Sequence, residues 1–373
     1  MKYSQKKLAF AGPSITELEV EHVAQAVRDG WYETFDKYMR EFEDEVKKYL
    51  GVKYAIGTHC CTLALHLATA SLQLKPGDEV IVPDHSWIAT AYPITYTGAT
   101  CVFVDIDPQT LCIDPVAIEK AITPATKAIM IVHNFGVPAD MDEILDIADK
   151  YNLKVIEDAA PALGSIYKGK KCGNIGDIGC ISFQGAKIAA ASEGGVMVTN
   201  DEEIYERAIL LANMGRTNRV APFWSDFVGY QYTIGSLPAA IAAVQIRRIE
   251  ELVENKRRIY NTYVKRLSNN PLIERIVEEK PGTRANYTYP AVFLSDAVKK
   301  TNLEVLDELK ALNIHGRPGF PPMSNFPEYE KEKRFENPVA MKFHKRGLVL
   351  PAAHNLTDED INLICDNLLE IIS

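Results

Sequence analysis

Two ionisable residues near the middle of the chain have the types and surroundings that covalent chemistry requires. Asp158 comes at the end of a short apolar strand predicted over Lys154–Glu157, and open α/β sheets bind ligands outside the carboxyl ends of their strands. Lys187 lies in a small, nearly uncharged stretch, residues 186–192. Burial lowers the pKa of a lysine amine and makes it a nucleophile that can form a Schiff base. Taken alone, Asp158 could instead cap a turn and Lys187 could be a snorkelling surface residue.

Strands and helices alternate between about residues 60 and 200, which predicts a mainly parallel sheet wrapped by helices. The strand segments are short and rich in Val and Ile, so we expect burial on both faces. The predicted strands are Glu79–Pro83, Cys101–Asp105, Ala128–His133, Lys154–Glu157, Cys180–Phe183 and Gly195–Thr199. The predicted helices are Ile15–Asp29, Tyr38–Leu50, Leu63–Ser71, Pro115–Ala121 and Met141–Lys150.

The pattern changes after residue 200. A long helical pattern over Leu237–Leu267 predicts one helix that bridges two domains. An alternating strand at Tyr287–Phe293 and helices at Leu303–Leu312 and Asp358–Ile372 follow, which indicates a smaller α+β unit. The sequence therefore predicts a large domain over residues 1–245 and a small C-terminal domain over residues 246–373.

Composition excludes several classes of protein. The chain has 373 residues and a formal net charge of −9, with no basic block, which argues against nucleic acid or an anionic membrane as the main partner. The seven cysteines form no C-x-x-C pair and the histidines no H-E-x-x-H motif, so neither a disulfide framework nor a metal site is expected. The N-terminus lacks a signal-peptide core. These features predict a soluble globular protein of the cytoplasm.

The residues around Asp158 and Lys187 resemble those of a known enzyme family. The motif Ile156-Glu-Asp-Ala-Ala160, then Ser182-Phe-Gln-Gly-Ala-Lys187, then Ser192-Glu-Gly-Gly195 is similar to that of the DegT/DnrJ/EryC1/StrS sugar aminotransferases. The resemblance extends over nearly the whole chain and is strongest to the perosamine and viosamine synthase branch. It implies a pyridoxal-phosphate-dependent transferase of fold type I, with a large domain built on a mostly parallel sheet. A related dehydratase branch carries His at the lysine position, so Lys187 favours transamination.

The resemblance assigns roles to individual residues. Lys187 would be the catalytic amine bonded to pyridoxal 5′-phosphate, and Asp158 would face the pyridine nitrogen and keep it protonated. Trp87 would stack on the ring, although a core tryptophan at a buried helix start is the structural alternative. The remaining predicted contacts are with the phosphate group, which the start of a helix attracts; they come from Cys61, Thr62 and Ser182.

Several positions depart from the family pattern. Cys61 stands where most members have Gly before the phosphate-binding Thr62. Gln231 replaces an Asn that reaches the phosphate of the neighbouring subunit, and Thr233 replaces the Arg that follows it. An amide at Gln231 could still donate a hydrogen bond, which implies a homodimer with the active site at its interface. Tyr32 lies in the predicted substrate loop, where smaller hydroxyl residues are common.

The acceptor substrate is open at this stage. The resemblance implies transfer of an amino group, with L-glutamate the usual donor, to a nucleotide-linked 4-keto-6-deoxy sugar used in polysaccharide biosynthesis. The altered substrate loop leaves a smaller phosphorylated ketone or a cyclitol as the alternative, and a non-catalytic pyridoxal-phosphate-binding regulator as a third class. Arg317, between Gly316 and Pro318, is predicted to bind a substrate carboxylate or phosphate; a structural ion pair or a solvated loop arginine is the alternative.

Overall fold

The computed structural model describes residues 1–217, 219–332 and 334–373. The strands of this part of the chain are β1 (Tyr54–Thr58), β2 (Glu79–Pro83), β3 (Thr100–Val104), β4 (Thr126–Val132), β5 (Lys154–Asp158), β6 (Ile166–Tyr167), β7 (Lys170–Lys171), β8 (Ile178–Ser182), β9 (Gly195–Thr199), β10 (Ile273–Ile276), β11 (Thr283–Arg284), β12 (Ala291–Leu294), β13 (Arg317–Pro318) and β14 (Gly347–Val349).

The α-helices of the same residues are α1 (Glu17–Asp29), α2 (Lys37–Leu50), α3 (Cys61–Ser71), α4 (Tyr92–Tyr96), α5 (Pro115–Ala121), α6 (Met141–Tyr151), α7 (Glu202–Ala212), α8 (Ser236–Arg247), α9 (Ile249–Leu267), α10 (Asn302–Ala311), α11 (Pro338–Arg346) and α12 (Asp358–Ile372). In the described part of the chain, none of these helices combines the length and apolar character needed to span a bilayer.

The large sheet has the strand order β1-β9-β8-β5-β4-β2-β3. Neighbours from β8 to β3 pair in parallel, and β9 runs antiparallel to both β8 and β1. Every residue of β2, β8 and β9 is buried, because helices cover both faces of the sheet. The predicted α/β class with a mostly parallel sheet is confirmed.

Alternate residues of the strands serve two different cores. Val80, Val82 and Phe103 pack with α3 in one core, whereas Ile81 and Val102 pack with α5 and α6 in another. The period-two alternation of side chains along each strand produces this division. The carboxyl ends of β4, β5 and β8 are therefore held between two packed layers.

The C-terminal part contains a smaller sheet with the order β10-β12-β14-β13. Its apolar face packs against α9, α10 and α12 in a separate core. The strand predicted over Tyr287–Phe293 is shorter, because Tyr287 has a φ of 51° and Pro290 cannot donate to a ladder; pairing begins at Ala291. The division at residues 245 and 246 stays a prediction.

The prediction of a single helix over Leu237–Leu267 was wrong, since the structure has two helices that meet at Arg248. Arg248 leaves the helical region with φ −96° and ψ 3°. Its guanidinium donates to Glu19 Oε1 at 2.7 Å and to the Ser14 carbonyl at 3.0 Å. Helical periodicity continues across this junction in the sequence, so the pattern gave no sign of the break.

The N-terminal segment lies along the small sheet. Leu8 pairs with Ile314 in a parallel bridge, and its amide donates to Asn313 O at 3.0 Å while its carbonyl accepts from His315 N at 2.9 Å. Phe10 O accepts from Ala352 N at 2.9 Å. These bonds place the Phe10 ring at the junction of the two sheets.

Candidate active site

One cavity of about 650 Å³ lies where the carboxyl ends of the large sheet's strands face the small sheet. Seven of the nine side chains predicted from the sequence line it: Cys61, Thr62, Trp87, Asp158, Ser182, Lys187 and Arg317. A cavity of this size suits a cofactor or a small substrate. The structure thus brings residues separated by more than 250 positions to one site.

Asp158 ends β5 with its carboxylate buried and fixed in orientation. Its Oδ2 accepts from Thr90 Oγ1 at 2.7 Å, and its Oδ1 accepts from Ala160 N at 3.1 Å. Ser86 Oγ lies 2.8 Å from Thr90 Oγ1 and extends this network. Burial raises the pKa of Asp158, while the Thr90 hydrogen bond and the positive charge of Lys187 oppose that change. Thr90 was not among the residues predicted for the site.

Lys187 lies in the turn that follows β8, where its amide donates to Gln184 O at 2.8 Å. Burial is the main influence on its amine and lowers its pKa, and the neighbouring Asp158 carboxylate raises it again in part. A lysine with a lowered pKa presents a larger fraction of neutral amine near neutral pH. Lys187 can therefore act as a nucleophile or as a carrier of protons within the cavity.

The first turn of α3 forms one wall of the cavity. Its N-cap residue, Cys60, makes no side-chain capping bond, so the first backbone N–H groups of the helix remain available to an anion. Gly195 of β9 allows this close packing, because a Cβ there would lie 2.5 Å from Cys61 N. The Ser182 hydroxyl, at the end of β8, also lines the cavity.

Trp87 leaves 63% of its surface exposed and presents its indole to the cavity. This exposure excludes the alternative of a core tryptophan. Its nearest aromatic neighbour is Phe320, with ring centroids 6.1 Å apart. An aromatic face beside Asp158 and Lys187 can cover a flat ring.

Tyr32 and Gln231 do not line the cavity within one chain. Tyr32 is 88% exposed in a short 3₁₀ helix before α2, and Gln231 Nε2 donates to Thr233 Oγ1 at 3.2 Å. Their predicted roles in binding substrate and cofactor stay predictions.

Arg317 begins β13 and is held opposite Val349 of β14. Its guanidinium carbon lies 5.4 Å from the centroid of the Phe10 ring, a cation–π contact. Among the residues that the structure describes, no carboxylate forms an ion pair with it. The guanidinium is thus positioned at the cavity by an aromatic ring and keeps its hydrogen-bond donors available to an anionic ligand.

Known proteins are similar to this chain in both sequence and fold. The pattern of the DegT/DnrJ/EryC1/StrS aminotransferase family matches residues 13–369. GDP-perosamine synthase of Caulobacter vibrioides is 36% identical over 369 residues, with 98% of each chain covered. DesI, solved with its TDP-sugar product, superposes with a TM-score of 0.89 at 29% identity and covers 98% of this chain and 93% of its own. Spr1654 from Streptococcus pneumoniae, solved in a PLP form, gives a TM-score of 0.90 at 26% identity and 98% coverage of both chains.

Proposed function

The chain belongs to the DegT/DnrJ/EryC1/StrS aminotransferase family, and on that premise we propose that it moves an amino group from an amino acid to a nucleotide-linked keto sugar with pyridoxal 5′-phosphate as cofactor. The observation that carries this proposal is the convergence of Asp158, Lys187 and the uncapped start of α3 on one cavity. An acid, an amine and an anion site are the groups that this cofactor requires.

The residues present fit the cofactor. The free N–H groups at the start of α3, with Thr62 and Ser182, would hold its phosphate. Trp87 would cover one face of its ring, and the oriented Asp158 carboxylate would accept a hydrogen bond from the protonated ring nitrogen. When bound, pyridoxal phosphate supplies an electron-accepting ring and an aldehyde carbon through which an amino group can be exchanged.

The chain's own residues then have separate tasks. The Lys187 amine would hold the cofactor through a covalent bond. Once an amino donor has released it, the amine would accept a proton at Nζ from the donor's Cα and transfer that proton to the cofactor. Thr90 fixes the orientation of Asp158 through the 2.7 Å hydrogen bond. Arg317 would bind a carboxylate of L-glutamate, the expected donor, or a phosphate of the acceptor.

The ligands of the relatives described above support the proposed acceptor substrate. GDP-perosamine synthase and DesI act on or bind nucleotide-linked sugars, as their names state. A nucleotide-linked 4-keto-6-deoxy sugar is therefore favoured over a smaller phosphorylated ketone or a cyclitol. We assign the reaction to surface polysaccharide or glycan biosynthesis.

A homodimer with the active site at its interface forms part of the proposal. Aromatic and aliphatic side chains are exposed on the segment before α8, where Trp224 and Val228 are 45% and 89% exposed. Tyr32 and Gln231, which lie outside their own cavity, would complete that of a second copy. Such an interface would be isologous. The seven free thiols suit the reducing cytoplasm, where we place the protein.

The proposal is tested by half-reactions. The protein is converted to its pyridoxamine phosphate form and mixed with single acceptors from a panel of GDP- and dTDP-linked 4-keto-6-deoxy sugars, phosphorylated ketoses and keto-cyclitols, while cofactor absorbance is recorded. We expect the absorbance of the lysine-bound cofactor to return fastest with a nucleotide-linked sugar. A faster return with a small phosphorylated ketone, or no return with any nucleotide sugar, would contradict the proposed acceptor.

A further inference from the structure

The peptide groups on both sides of Lys187 are held by side chains from the C-terminal part of the chain. Tyr289 Oη donates to the carbonyl of Ala186 at 2.6 Å, and His354 Nε2 donates to the carbonyl of Ile188 at 3.0 Å. Tyr289 precedes β12, and His354 follows β14. Two separate segments of the smaller sheet's layer thus converge on the residues immediately before and after the amine-bearing lysine.

The hydrogen bonds of His354 determine which nitrogen carries its proton. Asn255 Nδ2 lies 3.1 Å from His354 Nδ1, and an amide N–H can only donate, so Nδ1 is the acceptor. Nε2 therefore carries the proton and donates to Ile188 O. Burial lowers the pKa of His354 to about 3, which keeps the ring neutral, and the two hydrogen bonds select this tautomer.

Tyr289 is equally constrained. It is 8% exposed, and the Phe10 ring stacks on it with centroids 4.8 Å apart and planes 12° apart. Burial raises the pKa of Tyr289, so its hydroxyl remains a donor at neutral pH. The stack fixes the ring plane, and the ring plane fixes the direction of the hydroxyl toward Ala186 O.

We propose that Tyr289 and His354 are positioning residues that orient the peptide groups flanking Lys187 and thereby the direction from which its amine enters the cavity. A lysine side chain has four rotatable bonds, so its reach toward one point depends on a fixed backbone origin. The inference rests on the proposed role of Lys187, but the order of residues 184–191 can be measured without cofactor or substrate.

The first test compares two matched tyrosine variants by amide hydrogen exchange in the cofactor-free protein. Tyr289→Phe removes one hydroxyl and keeps the Phe10 stack. Tyr263→Phe removes another buried tyrosine hydroxyl that donates to a carbonyl, Pro351 O at 2.9 Å, but does not contact the lysine turn. We expect exchange in residues 184–191 to rise about 3- to 10-fold in Tyr289→Phe, as loss of one hydrogen bond implies, and to stay unchanged in Tyr263→Phe.

The second test separates positioning from general stability. In the loaded protein, Tyr289→Phe and His354→Leu should lower kcat about 3- to 10-fold with little change in KM for the amino donor. His354→Gln, whose amide N–H can occupy the place of Nε2–H, should recover most of kcat.

Unchanged exchange in Tyr289→Phe, an equal rise in Tyr263→Phe, or an unchanged kcat despite a looser turn would overturn the proposal. Failure of His354→Gln to exceed His354→Leu in kcat would remove His354 from it. If the protein proved to use another acceptor, the hydrogen-exchange result would stand, because it is measured without substrate.

Discussion

Lys256 is a buried amine whose contribution to stability should depend strongly on pH. It lies on α9, is 1% exposed and donates to the carbonyl of Ala352. Burial lowers its pKa from the ordinary 10.5 to about 7. Above pH 10.5 the amine is neutral in both the folded and unfolded chain, so the pKa difference does not change the free energy of unfolding. As the pH falls, the unfolded chain takes up a proton that the folded protein does not, which favours unfolding until about pH 7.

The size of the effect follows from the two pKa values. Linkage between a pKa of 10.5 in the unfolded chain and one of about 7 in the folded protein lowers the free energy of unfolding by about 1 kcal/mol at pH 10 and about 3 kcal/mol at pH 8. Lys256→Met keeps the unbranched stem and removes the titrating group. The unfolding free energy of the variant relative to wild type should therefore be about 2 to 3 kcal/mol higher at pH 8 than at pH 10.

Urea unfolding at equal protein concentration, at pH 8 and pH 10, measures this change. The lost hydrogen bond to Ala352 O and any altered packing are the same at both pH values, so they cancel in the comparison. Lys265→Met, an exposed lysine on the same helix, is the matched control and should show no such dependence. If the difference between Lys256→Met and wild type were the same at both pH values, the amine would be charged and solvated, and this reasoning would be refuted.

Four further predictions concern the cavity. Lys187→Ala should fold and still bind cofactor but lose at least about 100-fold in half-transamination rate, since loss of a proton carrier costs that much; retention of more than a hundredth of the rate would contradict its role. Asp158→Asn should lower turnover about 10- to 100-fold with little change in the urea midpoint, and near-normal turnover would make it only a structural group. Thr90→Val should raise the pKa of Asp158 further and cost about 1–3 kcal/mol in urea unfolding; an unchanged midpoint would mean that water replaces the hydroxyl. Arg317→Lys should raise KM for donor or acceptor by roughly tenfold without altering cofactor absorbance, whereas unchanged kinetics with both substrates would remove it from the site.

The strands of the large sheet could be predicted because their signal is local. Segments such as Glu79–Pro83 are continuously apolar and β-branched, and burial on both faces requires that composition. The break between α8 and α9 could not be predicted: Arg248, at which the two helices meet, has its buried partner Glu19 229 positions away. Periodicity reports which face of a helix is buried, and it does not report contacts with residues that are distant in the sequence.

The residues of the cavity likewise divide into those that could be predicted from the sequence and those that could not. Asp158 and Lys187 could be found from their residue types at strand ends. Thr90, Tyr289 and His354 could not, because each acts through a contact 68 or more positions away and none has an unusual local sequence. Tyr289 lies in the alternating Tyr287-Thr-Tyr289 run, and that alternation marked it for a strand interior rather than for the lysine turn.

Chemical trapping of the cofactor tests the central claim most directly. The protein is loaded with pyridoxal 5′-phosphate, reduced with borohydride, digested and mapped by mass spectrometry. The account predicts one phosphopyridoxyl addition, on Lys187, and its absence in Lys187→Ala. Stoichiometric addition at another lysine, such as the buried Lys256, or no addition to the wild-type protein, would contradict it.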